Sequence, residues 1–166
     1  GYSPYLSNLE CLCDNVPITN IQADGIIVSS TTGSTAYSLS AGGSMVHPQM
    51  PAILFTPICP HSLSFRPLIF PDSVELKIQV PDDSRSTAWA SFDGREQTEL
   101  HRGDHLIIRV SKWPFVWIRD SDGVGDWFKS LADCLHWNDR RKQKPVAQSN
   151  PPSSESLASS SASGHM

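Results

Sequence analysis

The sequence predicts a mainly β domain, an antiparallel sandwich-like arrangement with one short helix in its first third and one helix near its C-terminal end. Three observations lead there. Many short runs alternate apolar and polar residues at the period of a strand. They are separated by turn pairs at Asp14-Asn15, Asp93-Gly94 and Gly103-Asp104. Thirteen Pro and ten Gly in 166 residues favour many turns over long helices.

In chain order, Leu9 to Cys13 alternates at period two, Asp14-Asn15 turns the chain, and Val16 to Ile21 returns as the second arm of a hairpin. Gly25 to Ser29 is a third strand. The hydroxyl-rich run Ser30 to Tyr37 follows; its Ser and Thr suit helix caps, and a short helix through Leu39 is expected to stop at Gly42-Gly43. Ala52 to Thr56 reads as a buried strand ended by Pro57, and 58–67 as irregular. Further strands are expected at Leu68 to Phe70, Val74 to Val80, Ala88 to Phe92, Thr98 to His101, Leu106 to Val110 and Phe115 to Arg119. Near the end, Asp126 can cap a helix running through Trp137. Its stripe of Trp127, Phe128, Leu131 and Leu135 must bury against something, expected to be a segment beyond this chain or a partner.

Composition narrows the function. Charged residues make up 18% and the net charge is −4, which leaves no electrostatic footprint for nucleic acid. No apolar run is long enough to span a membrane. Cys11, Cys13, Cys59 and Cys134 lack redox or zinc spacing and read as buried, reduced thiols, which suits a reducing, cytoplasmic setting. The opening Gly1-Tyr2-Ser3-Pro4 reads as the start of a fragment. Residues 1–138 are expected to form the β-rich domain. Residues 139–166 are expected to form a basic, then Ser- and Pro-rich, disordered tail, with Ser163 to Met166 resembling an appended scar.

The chemistry concentrates in Asp24 to Gly43. A strand, a hydroxyl-rich bend and a helix start leave free backbone N–H groups for an anion or polar ligand group. Gly33 permits close approach of the backbone, and Tyr37 offers a ring for stacking. No Lys follows the glycine, so the run is not a Walker A loop. Taken alone, these residues also fit an ordinary capped loop: Asp24 as a turn residue, Thr32 and Thr35 as caps, Tyr37 as a core aromatic, Ser40 as a small packing residue.

A longer set of blocks resolves that ambiguity. Asp24-Gly25, the run Ser30 to Tyr37, Gly42-Gly43, Val46-His47-Pro48, Thr56 to Pro67 (TPICPHSLSFRP), Thr87 to Arg95 (TAWASFDGR), Asp126-Trp127-Phe128 and Cys134 to Asn138 (CLHWN) stand in the order found in NAD kinases of the eukaryotic type. From Pro4 to Asn138 the chain resembles the C-terminal, NAD-binding domain of that family.

The resemblance implies transfer of the γ-phosphate of ATP to the 2′-hydroxyl of the adenosine ribose of NAD, giving NADP, with Mg2+ on the phosphates. NAD would lie between this domain and an N-terminal α/β domain. It implies NAD-binding roles for Asp24 at the nicotinamide end, for Thr32 and Thr35 around adenine and ribose, for Ala36 and Tyr37 at adenosine, and more weakly for Ser40. Cys59 and His61 align with a loop that reaches a neighbouring subunit's NAD, in a homodimer or homotetramer. The family's catalytic aspartate belongs to a G-G-D-G motif. Asp-Gly occurs here only at Asp24, Asp93 and Asp122, never after Gly-Gly. No catalytic residue is therefore expected in this chain, which should be inactive alone. A non-catalytic NAD- or NADP-binding module, a lipid-kinase-like domain and a structural interaction domain are the alternatives.

Overall fold

A computed structural model of the chain describes residues 6–116 and 124–137. The first stretch lies in one compact unit and the second in another.

In the first unit the strands are β1 (Ser7–Cys13), β2 (Val16–Ala23), β3 (Gly25–Ser30), β4 (Ala52–Ile58), β5 (Leu68–Pro71), β6 (Leu76–Gln79), β7 (Ala88–Phe92), β8 (Arg95–Leu100) and β9 (His105–Ile108). They form a four-stranded sheet in the order β2-β1-β6-β9, a three-stranded sheet β3-β4-β5, and the hairpin β7-β8. Every pairing is antiparallel, as the alternation and turn pairs predict.

Two of the predicted turns show why their residues were chosen. Asp14 and Asn15 have φ of 48° and 64°, and Asp93 and Gly94 have 50° and 72°. Both pairs sit in the left-handed region that a two-residue hairpin of matching twist requires, which Asn, Asp and Gly enter at least cost. Asp14 also ties its hairpin tip to the chain entering β6. Its N–H donates to the Glu75 carbonyl and its Oδ1 accepts from the Glu75 N–H, both at 2.9 Å.

The core lies on the inner face of the larger sheet. Leu9 and Cys11, Ile21 and Ala23, and Leu76 and Ile78 arrive in pairs two residues apart, as a pleated strand demands. They meet Val80, Leu100, and Ile53 and Phe55 from β4. Phe55 is fully buried. Its ring stands edge-on to Phe70 at 6.0 Å and tilted to Phe65 at 6.2 Å, geometries that aromatic quadrupoles favour.

Several boundaries differ from the sequence expectation. β4 does not stop at Pro57 but runs through it to Ile58, with Pro57 opposite Ile26. β5 pairs only with Ala52 to Phe55, so that flank of β4 carries no ladder at residue 57, where a missing N–H is tolerated. β6 is shorter than Val74–Val80. Phe115 and Val116 lie exposed and outside any strand, and the remainder of the strand expected to Arg119 falls outside the described residues. Cys11 is buried and Cys13 half-buried, but Cys59 and Cys134 are exposed, correcting the expectation of four buried thiols; all four are free.

In the second unit, α2 (Val124–Leu135) begins three residues earlier than a helix capped by Asp126 would. Asp126 therefore sits in its first turn, where a carboxylate still favours the helix dipole, and is not its cap. Leu131 of the apolar stripe is buried, while Phe128 and Leu135 stay exposed. The 139–166 tail lies outside the described residues.

Candidate functional site

The site is built on one face of the β3–β4 pair. Opposed residues of antiparallel strands share a face, so the ladder Ile27↔Thr56 and Ser29↔Leu54 defines a second surface, away from the core. Ile53 and Phe55 face the core; Leu54 and Thr56 face the other way and are buried too. That is why β4 reads as an unbroken apolar run. What covers the second surface is the hydroxyl-rich segment.

This segment leaves β3 at Ser30 as a 3-10 turn over Thr31–Thr35, then makes a single α turn, α1 (Tyr37–Ser40). The expected hydroxyl caps are not formed: neither Ser30 nor Ala36 makes a side-chain cap hydrogen bond. The hydroxyls do something else. Thr31, Ser34 and Ser38, spaced as one helical face, are buried and bonded inward. Thr31 Oγ1 donates to the Pro48 carbonyl at 3.1 Å. Ser34 Oγ donates to the Val46 carbonyl at 3.0 Å and accepts from the Val46 N–H at 3.1 Å. Ser38 Oγ bonds Thr56 Oγ1 at 2.8 Å.

Two glycines allow the segment to lie this close. A Cβ on Gly33 would come within 2.9 Å of Ser29 Cβ and Oγ, and one on Gly43 would come within 2.8 Å of the Ser38 carbonyl. Gly42, with φ of 86°, turns the chain out of α1, close to where the sequence places its end.

The opposite face of the segment is open. Thr32, Ala36, Tyr37 and Ser40 are exposed and Thr35 is half-buried; Tyr37 keeps 62% of its surface. Thr32 Oγ1 pairs with the Ser30 Oγ just before the segment, at 2.8 Å. The residues singled out from the sequence are thus the outward set, and Tyr37 is not the core aromatic of the alternative reading.

Asp24, exposed, precedes β3, and its N–H donates to the Ile58 carbonyl at 3.0 Å. Gly25 lies opposite Ile58, so Asp24 and Cys59 stand at the same end of the β3–β4 ladder. The His61 N–H donates to the Gln22 carbonyl at 2.8 Å, bringing His61 to that end as well. The segment leaves β3 at the far end but doubles back: Ser38 sits over Thr56, two residues or about 7 Å short of Ile58. The Ser38–Thr56 bond sets α1 beside the part of the ladder where Thr56 faces Ile27, while Thr32 stays near Ser30.

Cys59, exposed, adopts φ of 45°, a strained conformation for a non-glycine residue. His61, Ser62, Ser64 and Phe65 form an open groove of about 370 Å³ with Thr19, Asn20 and Gln22 of β2. The β2 side of this groove was not foreseen, because polar residues alternating on an edge strand give no signal beyond solvent exposure. Thr56 was also missed as a site element; its hydroxyl in an otherwise apolar strand was the available cue.

Charge limits the chemistry. No Lys or Arg occurs before Arg66, while Glu10, Asp14 and Asp24 do. A surface of hydroxyls, one carboxylate and one exposed aromatic ring suits the neutral, hydrogen-bonding parts of a ligand. It does not suit neutralising a triphosphate. Among the described residues no cluster of three His, Cys, Asp or Glu could hold a metal ion, and no helix is long and apolar enough to cross a membrane.

Known proteins resemble this chain over most of its length. Residues 1–120 match the ATP-NAD kinase C-terminal domain family. The chain is 58% identical over 146 residues to a probable chloroplastic NAD kinase 2 of Oryza sativa subsp. japonica, covering 88% of this chain and 15% of that protein. It is 50% identical over 147 residues to the ATP-NADH kinase YEF1 of Saccharomyces cerevisiae, covering 89% and 29%. A crystal structure of yeast NADH kinase complexed with NADH superposes with a TM-score of 0.74 at 38% identity, over 87% of this chain and 44% of that one. An NAD kinase from Archaeoglobus fulgidus in complex with ATP shares the fold, with a TM-score of 0.68 at 24% identity. The chain spans less than a third of the length of either named relative. On the match of residues 1–120, it belongs to the ATP-NAD kinase family, of which it carries the C-terminal domain.

Proposed function

We propose that this chain is the dinucleotide-binding part of an enzyme that phosphorylates NAD at the adenosine 2′-hydroxyl, with ATP as donor. The observation that carries the proposal is the division of the Thr31 to Ser40 hydroxyls into a buried, internally bonded face and an open face. The inward bonds fix the backbone, so Thr32, Thr35, Ala36, Tyr37 and Ser40 present a preorganised surface to adenosine, and preorganisation lowers the cost of binding. Asp24, at the other end of the path, accepts hydrogen bonds from the ribose or carboxamide of the nicotinamide half.

Phosphoryl transfer needs in-line placement, charge neutralisation and a group that orients the attacking hydroxyl. This surface supplies placement only. The orienting aspartate and the ATP site come from the preceding domain, and Mg2+ travels with the ATP phosphates. The chain alone is inactive on this reading. Cys59 and His61 lie on an exposed loop suited to reach a second copy, giving a homodimer or homotetramer. A compartment holding both NAD and ATP, the cytoplasm or an organelle, is where the enzyme works.

The test is calorimetric titration of the chain with NAD and NADP, alone and with the preceding domain supplied, alongside an assay of NADP formation. Saturable binding with turnover only in the presence of that domain supports the proposal. Turnover by the chain alone, or no dinucleotide binding in either state, refutes it. Analytical ultracentrifugation checks the oligomer.

A further inference from the structure

Resting on that reading, we infer that Thr56 and Ser38 are positioning residues for NAD: their hydroxyl pair holds the α1 turn against β4 and so sets where Tyr37 and Ser40 stand relative to Asp24. Neither touches the ligand surface, since both are 1% exposed.

The argument begins with α1 itself. It is one turn long and lacks a capping side chain, and a single turn is not stable by its own hydrogen bonds. Its place must come from tertiary contacts. The Ser38–Thr56 bond, 2.8 Å and buried, joins that turn to the site-facing side of β4, at the residue opposite Ile27. The Gly43 N–H then donates to the Ser38 carbonyl at 2.8 Å. A Cβ at Gly43 would stand 3.0 Å from Thr56 Oγ1, so the chain leaving α1 closes over the same pair. Water is kept out, and each hydroxyl depends on the other for a partner.

Thr56 lies two residues before Ile58, whose carbonyl accepts the Asp24 N–H. One strand therefore fixes both ends of the proposed NAD path: α1 through the Thr56 side chain, and Asp24 through the Ile58 backbone. A shift of α1 along β4 changes the Tyr37-to-Asp24 span and weakens a ligand that must meet both.

The experiment compares steady-state kinetics and melting temperatures of the full-length kinase with those of Thr56→Val, Thr56→Ser, the double variant Ser38→Ala/Thr56→Val, and Tyr37→Ala as reference. Thr56→Val is expected to raise KM for NAD about tenfold, the worth of one ordinary buried hydrogen bond. KM for ATP and kcat should stay within about twofold, the pattern of lost binding rather than lost chemistry. Thr56→Ser restores KM because it keeps the hydroxyl. The double variant leaves no orphaned hydroxyl, so it recovers melting temperature while KM for NAD stays raised. This variant carries the test if Thr56→Val folds poorly.

A purely structural pair lowers the folded fraction, and with it apparent kcat, at unchanged KM. That result, or a double variant with normal KM, overturns the inference while leaving the site intact. Should Tyr37→Ala itself leave KM for NAD unchanged, the binding surface is misassigned and the positioning role falls with it.

Discussion

Ser34 Oγ serves both backbone groups of Val46, donating to its carbonyl at 3.0 Å and accepting from its N–H at 3.1 Å. Ser34 is fully buried and Val46 nearly so, so both backbone groups are shielded from solvent. One side chain thereby joins the start of the hydroxyl-rich segment to the loop that follows α1.

Ser34→Ala should therefore cost more than a small surface change. It leaves a buried N–H and a buried carbonyl without this partner, at about 1–3 kcal/mol for each group. Thermal unfolding should show a melting temperature lower by several degrees. Ser40→Ala, on the open face, should stay within about 0.5 kcal/mol of the parent. Equal effects from the two would show that the buried and open hydroxyls do not differ in role.

Gly33→Ala tests close approach rather than bonding. The added methyl would meet Ser29 Cβ and Oγ at 2.9 Å, inside any normal carbon contact, and Ser29 sits on a strand that cannot yield freely. The variant should lose about 1–3 kcal/mol by overpacking, together with NAD affinity, since the segment must lift from β3. Ala at Gly125, where nothing lies within 4 Å, serves as the control and should be neutral or mildly stabilising, because Ala is the better helix former.

Much of this architecture was readable from local chemistry. Asp14-Asn15 and Asp93-Gly94 state their turns because few other residues accept positive φ, and Gly42 marks the exit from α1 for the same reason. The candidate set Thr32, Thr35, Ala36, Tyr37 and Ser40 rests on motif resemblance; the fold leaves Thr32, Ala36, Tyr37 and Ser40 exposed and Thr35 half-buried. What stayed hidden depended on partners distant in sequence. Whether Ser38 faces in or out is decided by Thr56, eighteen positions away, and whether Pro57 ends β4 is decided by how far β5 extends. The groove between β2 and His61 likewise exists only once the sheets are assembled. The cysteines were misjudged because burial was assigned by residue type, whereas Cys59 follows a strand end at an exposed bend.

Tyr37→Ala and Asp24→Ala should separate binding from folding. Tyr37 is 62% exposed and Asp24 contributes only its backbone N–H to the fold in the hydrogen bonds described. Melting temperatures should move little, within about 0.5 kcal/mol equivalent. Affinity for NAD should fall about tenfold or more in each, as expected when a stacking ring or a charged acceptor is removed. Calorimetry against NAD reads the loss, and unchanged affinity in both variants would remove the proposed dinucleotide path.

The thiols give a prediction in which the sign with pH can be worked out. Burial, reinforced by the neighbouring Cys13, pushes Cys11 from its ordinary 9.0 up to about 11. Cys13 is also raised, by burial and then by Asp14. A raised thiol pKa means that the folded chain keeps a proton which the unfolded chain releases. Stability from this source is complete below about pH 9, and it declines as pH climbs toward 11, where the unfolded state alone binds fewer protons. Urea midpoints measured from pH 8 to pH 11 should fall, and fall less steeply in Cys11→Val, which removes the titrating group but keeps an apolar side chain. The same difference governs reactivity, because the thiolate is the nucleophile. Iodoacetamide at pH 8 should modify the exposed Cys59 and Cys134 and spare Cys11 until the chain is unfolded; mass spectrometry of the native protein showing Cys11 labelled as fast as Cys59 would contradict the buried position of β1 in the core.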